Sequence, residues 1–290
     1  MIHRWTARRT RFRALLSGPA CLMPASVFDP ISARIAEDLG FEVGMLGGSV
    51  ASLAILGAPD NMTITLSEFS ALVLRISRAG ELPLMVDADH GYGSALNVMR
   101  TVEELELAGV AGLSIEDTLL PEPFGAGKPQ MVSLDEGIGK MRAAIAARRD
   151  GTLVIAGRTS ALAIAGLDEA LARVAAYTAA GVDAIFLIGA KSAAELVAVR
   201  GVTHLPLILG AAPPQLSSAS ELAKLGVRLC LQGHQPFPAA VQAIYATLKA
   251  LRDGADPKTL PAIAGADLMH QVTRADRYAA HAKDFLGQKK

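Results

Sequence analysis

The chain has 290 residues, and its 28 Lys and Arg against 28 Asp and Glu give a formal net charge of zero, so no net positive field draws in a nucleic-acid backbone or an anionic membrane. At 51% hydrophobic and 19% charged it excludes disorder and calls for a large core, and with aromatics at 4% that core is mostly Ala, Leu, Val and Ile. No apolar run reaches the ~18 residues of a membrane span before Gly, Pro or a charge interrupts it, so a soluble protein is expected.

Residues 1–14 carry Arg4, Arg8, Arg9, Arg11 and Arg13 and no acid. One reading is an organelle transit peptide. The other is an amphipathic helix that turns Trp5, Phe12 and Leu15 or Leu16 inward over one end of the domain. No apolar stretch ends in a signal-peptidase site, so secretion is not expected.

Further along, residues 35–46, 105–115, 175–188 and 222–231 each run from a helical pattern through a glycine into a short apolar run. The glycines are Gly40, Gly109, Gly181 and Gly226. Glycine there supplies the left-handed residue that closes a helix before the chain turns into a strand. Further strands fall near 22–28, 84–86, 153–156 and 205–209, so about eight strands alternate with helices. That order favours a closed (β/α)8 TIM-type barrel of roughly 250 residues in one domain. An open doubly wound sheet would need a phosphate-binding turn, and Gly44-Met45-Leu46-Gly47-Gly48 has the wrong spacing for one.

Asp253-Gly254-Ala255-Asp256-Pro257 reads as a turn. The expected division is therefore a barrel catalytic domain over 1–254 and a helical extension over 255–290. The extension is too short for a core of its own and is expected to pack on the barrel or, preferably, on a neighbouring subunit. The two cysteines, Cys21 and Cys230, form neither a disulfide framework nor a metal knuckle. They fall in the first and last expected strands as small core residues, which suits a reducing, cytoplasmic setting.

In this architecture the chemistry lies at the carboxyl ends of the strands. The second is followed by Gly47-Gly48-Ser49-Val50, the third by Asp87-Ala88-Asp89-His90-Gly91-Tyr92-Gly93, and the fourth ends in Glu116-Asp117. The fifth ends in Arg158-Thr159 and the eighth in Gln232-Gly233-His234. Asp87 and Asp89, at i and i+2, share one side of an extended segment and repel unless a cation neutralises them. A hard divalent ion suits them, with Glu116 acting through water; the plainer alternative is that both acids cap the helix starting near Ser94. No His/Cys set has zinc spacing.

Arg158 can grip a carboxylate with two parallel hydrogen bonds, or can serve as a salt bridge balancing the acids. His234 can bind a carboxylate or shuttle a proton, or be a solvated loop histidine. His90 is expected to be structural, buried beside the acids, with proton transfer as the alternative. The Pro/Gly-rich segment 118–130 reads as a lid or as a plain long loop.

Taken together, Ala25-Ser26-Val27-Phe28-Asp29, Gly47-Gly48-Ser49, the 87–93 run, Ile115-Glu116-Asp117 and Arg158-Thr159 resemble the isocitrate lyase and phosphoenolpyruvate mutase superfamily. Within it the Arg-rich start, Asn97-Val98-Met99-Arg100-Thr101-Val102 and Gly233-His234 are most similar to the bacterial oxaloacetate decarboxylase family. The resemblance implies a Mg²⁺-dependent barrel, with Mn²⁺ as an alternative ion, acting on a small 2-oxo acid. It assigns the metal to Asp87, with Asp89 and Glu116 supporting through water, and substrate contacts to Ser49, Arg158 and His234. Amides near Gly48 and Ser49 would help to hold the substrate. The implied reaction is decarboxylation of oxaloacetate to pyruvate through a metal-stabilised enolate, with His234 orienting substrate or delivering the proton. Members are usually tetramers.

The 118–130 loop has neither the Lys-Lys-Cys-Gly-His lid of isocitrate-cleaving lyases nor the Lys-x-Asn-Ser run of phosphonate-acting members. Relatives commonly place a Tyr after the seventh strand where this chain has Ala211, a change expected to widen the pocket or to shift substrate preference. The competing readings are a C–C lyase or hydrolase acting on another 2-oxo or 2-hydroxy acid, and a non-catalytic carboxylate-binding barrel.

Overall fold

The computed structural model describes residues 2–216 and 218–287. Eight parallel strands form one sheet in chain order: β1 (Ala25–Ser26), β2 (Gly44–Leu46), β3 (Leu84–Asp87), β4 (Gly112–Glu116), β5 (Val154–Thr159), β6 (Ala184–Leu187), β7 (Leu207–Leu209) and β8 (Val227–Cys230). A parallel bridge between Leu22 and Leu229 joins the last strand to the segment leading into the first, closing the (β/α)8 barrel. Cys230 N donates to Leu22 O at 3.0 Å in the same seam, and both cysteines are buried free thiols, as expected of small core residues.

Helices alternate with the strands: α2 (Pro30–Asp38), α3 (Gly48–Leu56) and α4 (Leu66–Ala79), then α5 (Ala95–Ala108) and α6 (Leu134–Ala147). The circuit continues with α7 (Ala161–Ile164), α8 (Leu167–Ala180), α9 (Ala193–Val202) and α10 (Ala219–Lys224). Gly40, Gly109, Gly181 and Gly226 stand at φ 83°, 93°, 95° and 81°, so each expected helix-to-strand glycine occupies the left-handed conformation.

Side chains alternate between two cores. Leu84, Val86, Leu113, Ile155 and Leu187 pack outward against the helices. Met45, Met85, Val154, Ala156, Ala184, Phe186, Ile208 and Leu229 fill the barrel interior. The period of two continues to the carboxyl ends, so Asp87 follows Met85, and Arg158 follows Ala156, onto the axis.

The amino-terminal helix α1 (Ile2–Ser17) closes the opposite end. Phe12 and Leu16 join the interior core, and Phe12 lies so close to β4 that a Cβ on Gly112 would come within 2.6 Å of its ring. Trp5 is buried too. The arginines hold backbone carbonyls and acids around the rim. Arg9 donates to Val110 O at 2.9 Å and pairs with Asp150 at 2.8 Å, while Arg13 donates to Thr152 O and pairs with Asp183, each at 2.8 Å. Arg8 reaches Ser77 O and Glu81. The basic start is thus an integral part of the barrel's floor.

Contacts divide the chain into a compact unit over Met1–His234 and a second over Gln235–Lys290, so the expected boundary at 254 falls inside the second. The second unit holds α11 (Pro236–Arg252), α12 (Ala266–Thr273) and α13 (Ala275–Leu286). Val272 is the one buried residue in these three helices. No described helix is long and apolar enough to cross a membrane.

Candidate active site

A cavity of ≈ 630 Å³ opens at the carboxyl ends of the strands, lined by Ser49, Asp87, Asp89, Glu116, Arg158 and His234 among others. Six of the seven expected site residues therefore line it. The seventh, Gly48, backs it: a Cβ on Gly48 would meet the Asp89 carboxylate oxygens at 2.4 and 2.6 Å, so glycine is needed for the Asp89 side chain to sit against the first turn of α3.

Asp87 ends β3. Its Oδ1 accepts from Ser114 Oγ at 3.0 Å and from Asp89 N at 3.3 Å, and its Oδ2 is ion-paired with Arg158 Nη1. Register explains the last contact, since Asp87 is paired with Ser114 across the β3–β4 ladder and Arg158 stands beside Glu116 across β4–β5. Arg158 Nη2 lies 3.4 Å from Glu116 Oε2, which also accepts from Thr118 Oγ1 at 2.8 Å. The guanidinium carbon sits 5.5 Å from the centroid of the Phe186 ring, and Arg158 Nε makes no hydrogen bond. The balancing salt bridge is therefore present while the planar fork still lines the cavity.

The acids do not cap α5. Its N-cap is Ser94, locked reciprocally with Asn97. Asp89 instead adopts a left-handed φ of 48° that turns its buried carboxyl toward the other acids. Burial first, then the charges of Asp87, Glu116 and Asp60, push its pKa well up, with Arg158 opposing. Burial also raises Glu116, which Arg158 pulls down and Asp87 pushes up again.

Asp60, with Asn61 and Met62, is the part of the lining that sequence reasoning missed. These residues follow helix α3, not a strand, and the only signal was the turn chemistry of Gly57-Ala58-Pro59-Asp60-Asn61. Burial of its carboxyl and then the nearby Asp87 raise the Asp60 pKa. The segment after β4 contributes Leu120, Pro121 and Glu122 to the wall.

His234 Nδ1 lies 2.7 Å from Ser26 Oγ, while a Cβ on Gly47 would approach Nε2 to 2.7 Å. Burial lowers the imidazole pKa, with Asp87 opposing, so the ring is neutral at neutral pH. His90 is buried outside the lining, and burial followed by Lys140 pushes its pKa down to about 4. Gly210 lines the cavity where β7 ends, and Ala211 beside it is exposed.

The family model described as phosphoenolpyruvate phosphomutase matches residues 12–252. An oxaloacetate decarboxylase of Bradyrhizobium diazoefficiens is 58% identical over 98% of this chain and 99% of its own. The chain belongs to the oxaloacetate decarboxylase family. Another member, from Rhodopseudomonas palustris, is 57% identical over 99% of both chains. Among solved structures, an oxaloacetate acetylhydrolase in complex with 3,3-difluorooxalacetate matches this decarboxylase-family barrel at TM-score 0.85, with 29% identity and 98% of each chain covered. A phosphonopyruvate hydrolase complexed with oxalate and Mg²⁺ matches at 0.84, with 29% identity over 96% of this chain and 99% of that one.

Proposed function

We propose that this chain is a carboxy-lyase converting oxaloacetate to pyruvate and CO₂, with Mg²⁺, or Mn²⁺ in its place, at the Asp87, Asp89 and Glu116 rim. The observation that carries the reading is the charge inventory of the cavity: Asp60, Asp87, Asp89, Glu116 and Glu122 stand against one guanidinium, Arg158. Five carboxyl groups around one cation leave a deficit that a divalent ion corrects, and an all-oxygen donor set suits a hard one. Among the described residues no three His, Cys, Asp or Glu side chains converge tightly enough to cage a metal. Mg²⁺ typically takes one or two protein carboxylates and keeps several sites for water and substrate oxygens, so Asp87 with Asp89 or Glu116 would hold it. When bound, the ion supplies Lewis-acid polarisation of the 2-oxo group.

The protein's own residues do the rest. Arg158, with its guanidinium carbon over the Phe186 ring, grips the carboxylate next to the keto carbon, and the N–H groups at the start of α3 near Gly48 and Ser49 face the same end. The distal carboxylate finds no cationic side chain of its own, because Arg158 is the sole Lys or Arg of the lining among the described residues, while Glu122 and Asp60 face the cavity. Departure of neutral CO₂ relieves that repulsion: the C3–C4 bond breaks, its electron pair passes into the enolate, and a proton added at C3 gives pyruvate. His234, steered by Ser26, orients the substrate or helps deliver that proton from solvent.

Purified protein with Mg²⁺ is expected to form pyruvate from oxaloacetate, and Asp87→Ala to abolish it. Turnover no faster than with the ion alone refutes the assignment. Because oxaloacetate acetylhydrolases share the fold, products are assayed directly; acetate and oxalate in place of pyruvate would mark the hydrolase reading. Assembly as a homotetramer belongs to the same proposal and is supported by the exposed apolar face of Val241, Ile244, Tyr245 and Leu248 on α11. Cytoplasmic residence is supported by the two unpaired buried thiols.

A further inference from the structure

The 118–131 segment leaves the barrel at Asp117 and returns at Val132, and its two ends are tied together. Val132 N donates to Asp117 O at 2.9 Å, Thr118 bridges Met131 in antiparallel fashion, and Leu119 N donates to Gln130 O at 2.8 Å. Behind this neck lies Arg173 of α8. Its Nη1 contacts Asp117 Oδ2 at 3.1 Å and its Nη2 donates to Val132 O at 2.8 Å, so one guanidinium holds both ends. Tyr177, one turn further along α8, donates its hydroxyl to Asp117 Oδ2 at 2.7 Å. A Cβ on Gly137 of α6 would come within 2.4 Å of that hydroxyl, so glycine there makes room for it. The neck is also wired to the cavity, because Thr118 Oγ1 donates to Glu116 Oε2 at 2.8 Å.

We propose that Arg173, with Asp117 and Tyr177, is a positioning unit that locks the neck of the 118–131 lid and, through Thr118, sets the orientation of Glu116. Side-chain exposures of 5% for Arg173 and 0% for Asp117 make this a fully desolvated ion pair. Such pairs add little net stability compared with apolar packing, and their best-attested use is to specify one geometry. The planar fork suits the task, because it can hold a carboxylate and a carbonyl in one plane and an ammonium cannot.

The kinetic part of this proposal rests on the decarboxylase reading, and the structural part does not. Hydrogen exchange of the free protein is measured for wild type, Arg173→Lys, Tyr177→Phe and Thr118→Val. Both clamp variants are expected to speed exchange of the Leu119 and Val132 amides at least about tenfold with β4 and β5 amides unchanged. If Arg173→Lys disturbs the core strands as well, the milder Tyr177→Phe decides. Thr118→Val should leave the neck amides at their wild-type rate and lower kcat for oxaloacetate about as much as Tyr177→Phe does, with a smaller change in KM. Wild-type exchange at the neck in both clamp variants overturns the proposal, as does faster exchange with kcat and KM unmoved. A wild-type protein without turnover sinks the decarboxylase reading alone, and the exchange rates still decide the clamp.

Discussion

Replacing Arg158 with lysine tests whether shape or charge matters at the substrate end. Arginine presents Nη1 and Nη2 side by side, toward Asp87 and Glu116, with its guanidinium carbon 5.5 Å from the centroid of the Phe186 ring. Lysine keeps the charge and gives up the second parallel donor. A charge-assisted hydrogen bond is worth ~1.5–3 kcal/mol, and with tenfold in rate per ~1.36 kcal/mol, kcat/KM should fall about 10- to 150-fold. Loss of the guanidinium's cation–π contact with Phe186 adds about 0.5–1 kcal/mol at most. The assay is steady-state pyruvate formation over a range of oxaloacetate concentrations, paired with inhibition by oxalate. Since the grip is made in the bound substrate as well, KM and the oxalate inhibition constant should rise together. A kcat/KM within about threefold of wild type, with unchanged inhibition by oxalate, would refute the bidentate role.

Other expectations reach further from the substrate. Phe12→Ala empties a fully buried site at the barrel floor and should cost ~3–5 kcal/mol, lowering the thermal midpoint by about 6–20 °C at roughly 2–4 °C per kcal/mol; a loss below about 1 kcal/mol would place α1 outside the core. Burial pushes the Asp150 pKa up, but hydrogen bonds from Thr152, Arg9 and Thr6 outweigh it and hold it far below the usual carboxylate range. Its stabilisation is therefore fully present above the unfolded pKa of about 4 and is lost as pH falls toward the folded value. Denaturant titration should find Asp150→Asn less stable than wild type at neutral pH, with the gap closing in acid; a gap independent of pH contradicts this. Gly47 has φ −82°, so Ala fits the backbone there, yet its methyl would press on His234 Nε2. Gly47→Ala should lower kcat/KM at least about tenfold with the melting midpoint unmoved, and wild-type kinetics would remove His234 from the reaction.

The barrel was legible because four helix-to-strand joints, at Gly40, Gly109, Gly181 and Gly226, advertise themselves through a left-handed glycine, and the site because strand alternation continues past the last core residue. Asp87 and Arg158 are found by counting two on from Met85 and Ala156. Asp60 escaped that search, since it reaches the cavity from a helix-to-helix turn. Arg173 escaped for another reason. On an amphipathic helix such as α8, an arginine four residues after Glu169 looks like half of an exposed i, i+4 pair, and that contact exists at 2.7 Å. The buried half of its donors is visible only when Asp117 and Val132 are brought to it by tertiary structure. The first strand was expected over 22–28 and shrinks to Ala25–Ser26, because the residues before it are spent on the closing bridge at Leu22.

The plug that α1 forms at the barrel floor also fixes an order of events during synthesis. The helix leaves the ribosome first, but Arg9 pairs with Asp150 and Arg13 with Asp183, up to 170 residues downstream. At a translation rate of about 5–20 residues/s, α1 waits roughly 9–34 s for Asp183 and longer still for β8, against which it also packs. The docking of the first element is thus a late, long-range event, complete only when the last strand of the barrel has been made.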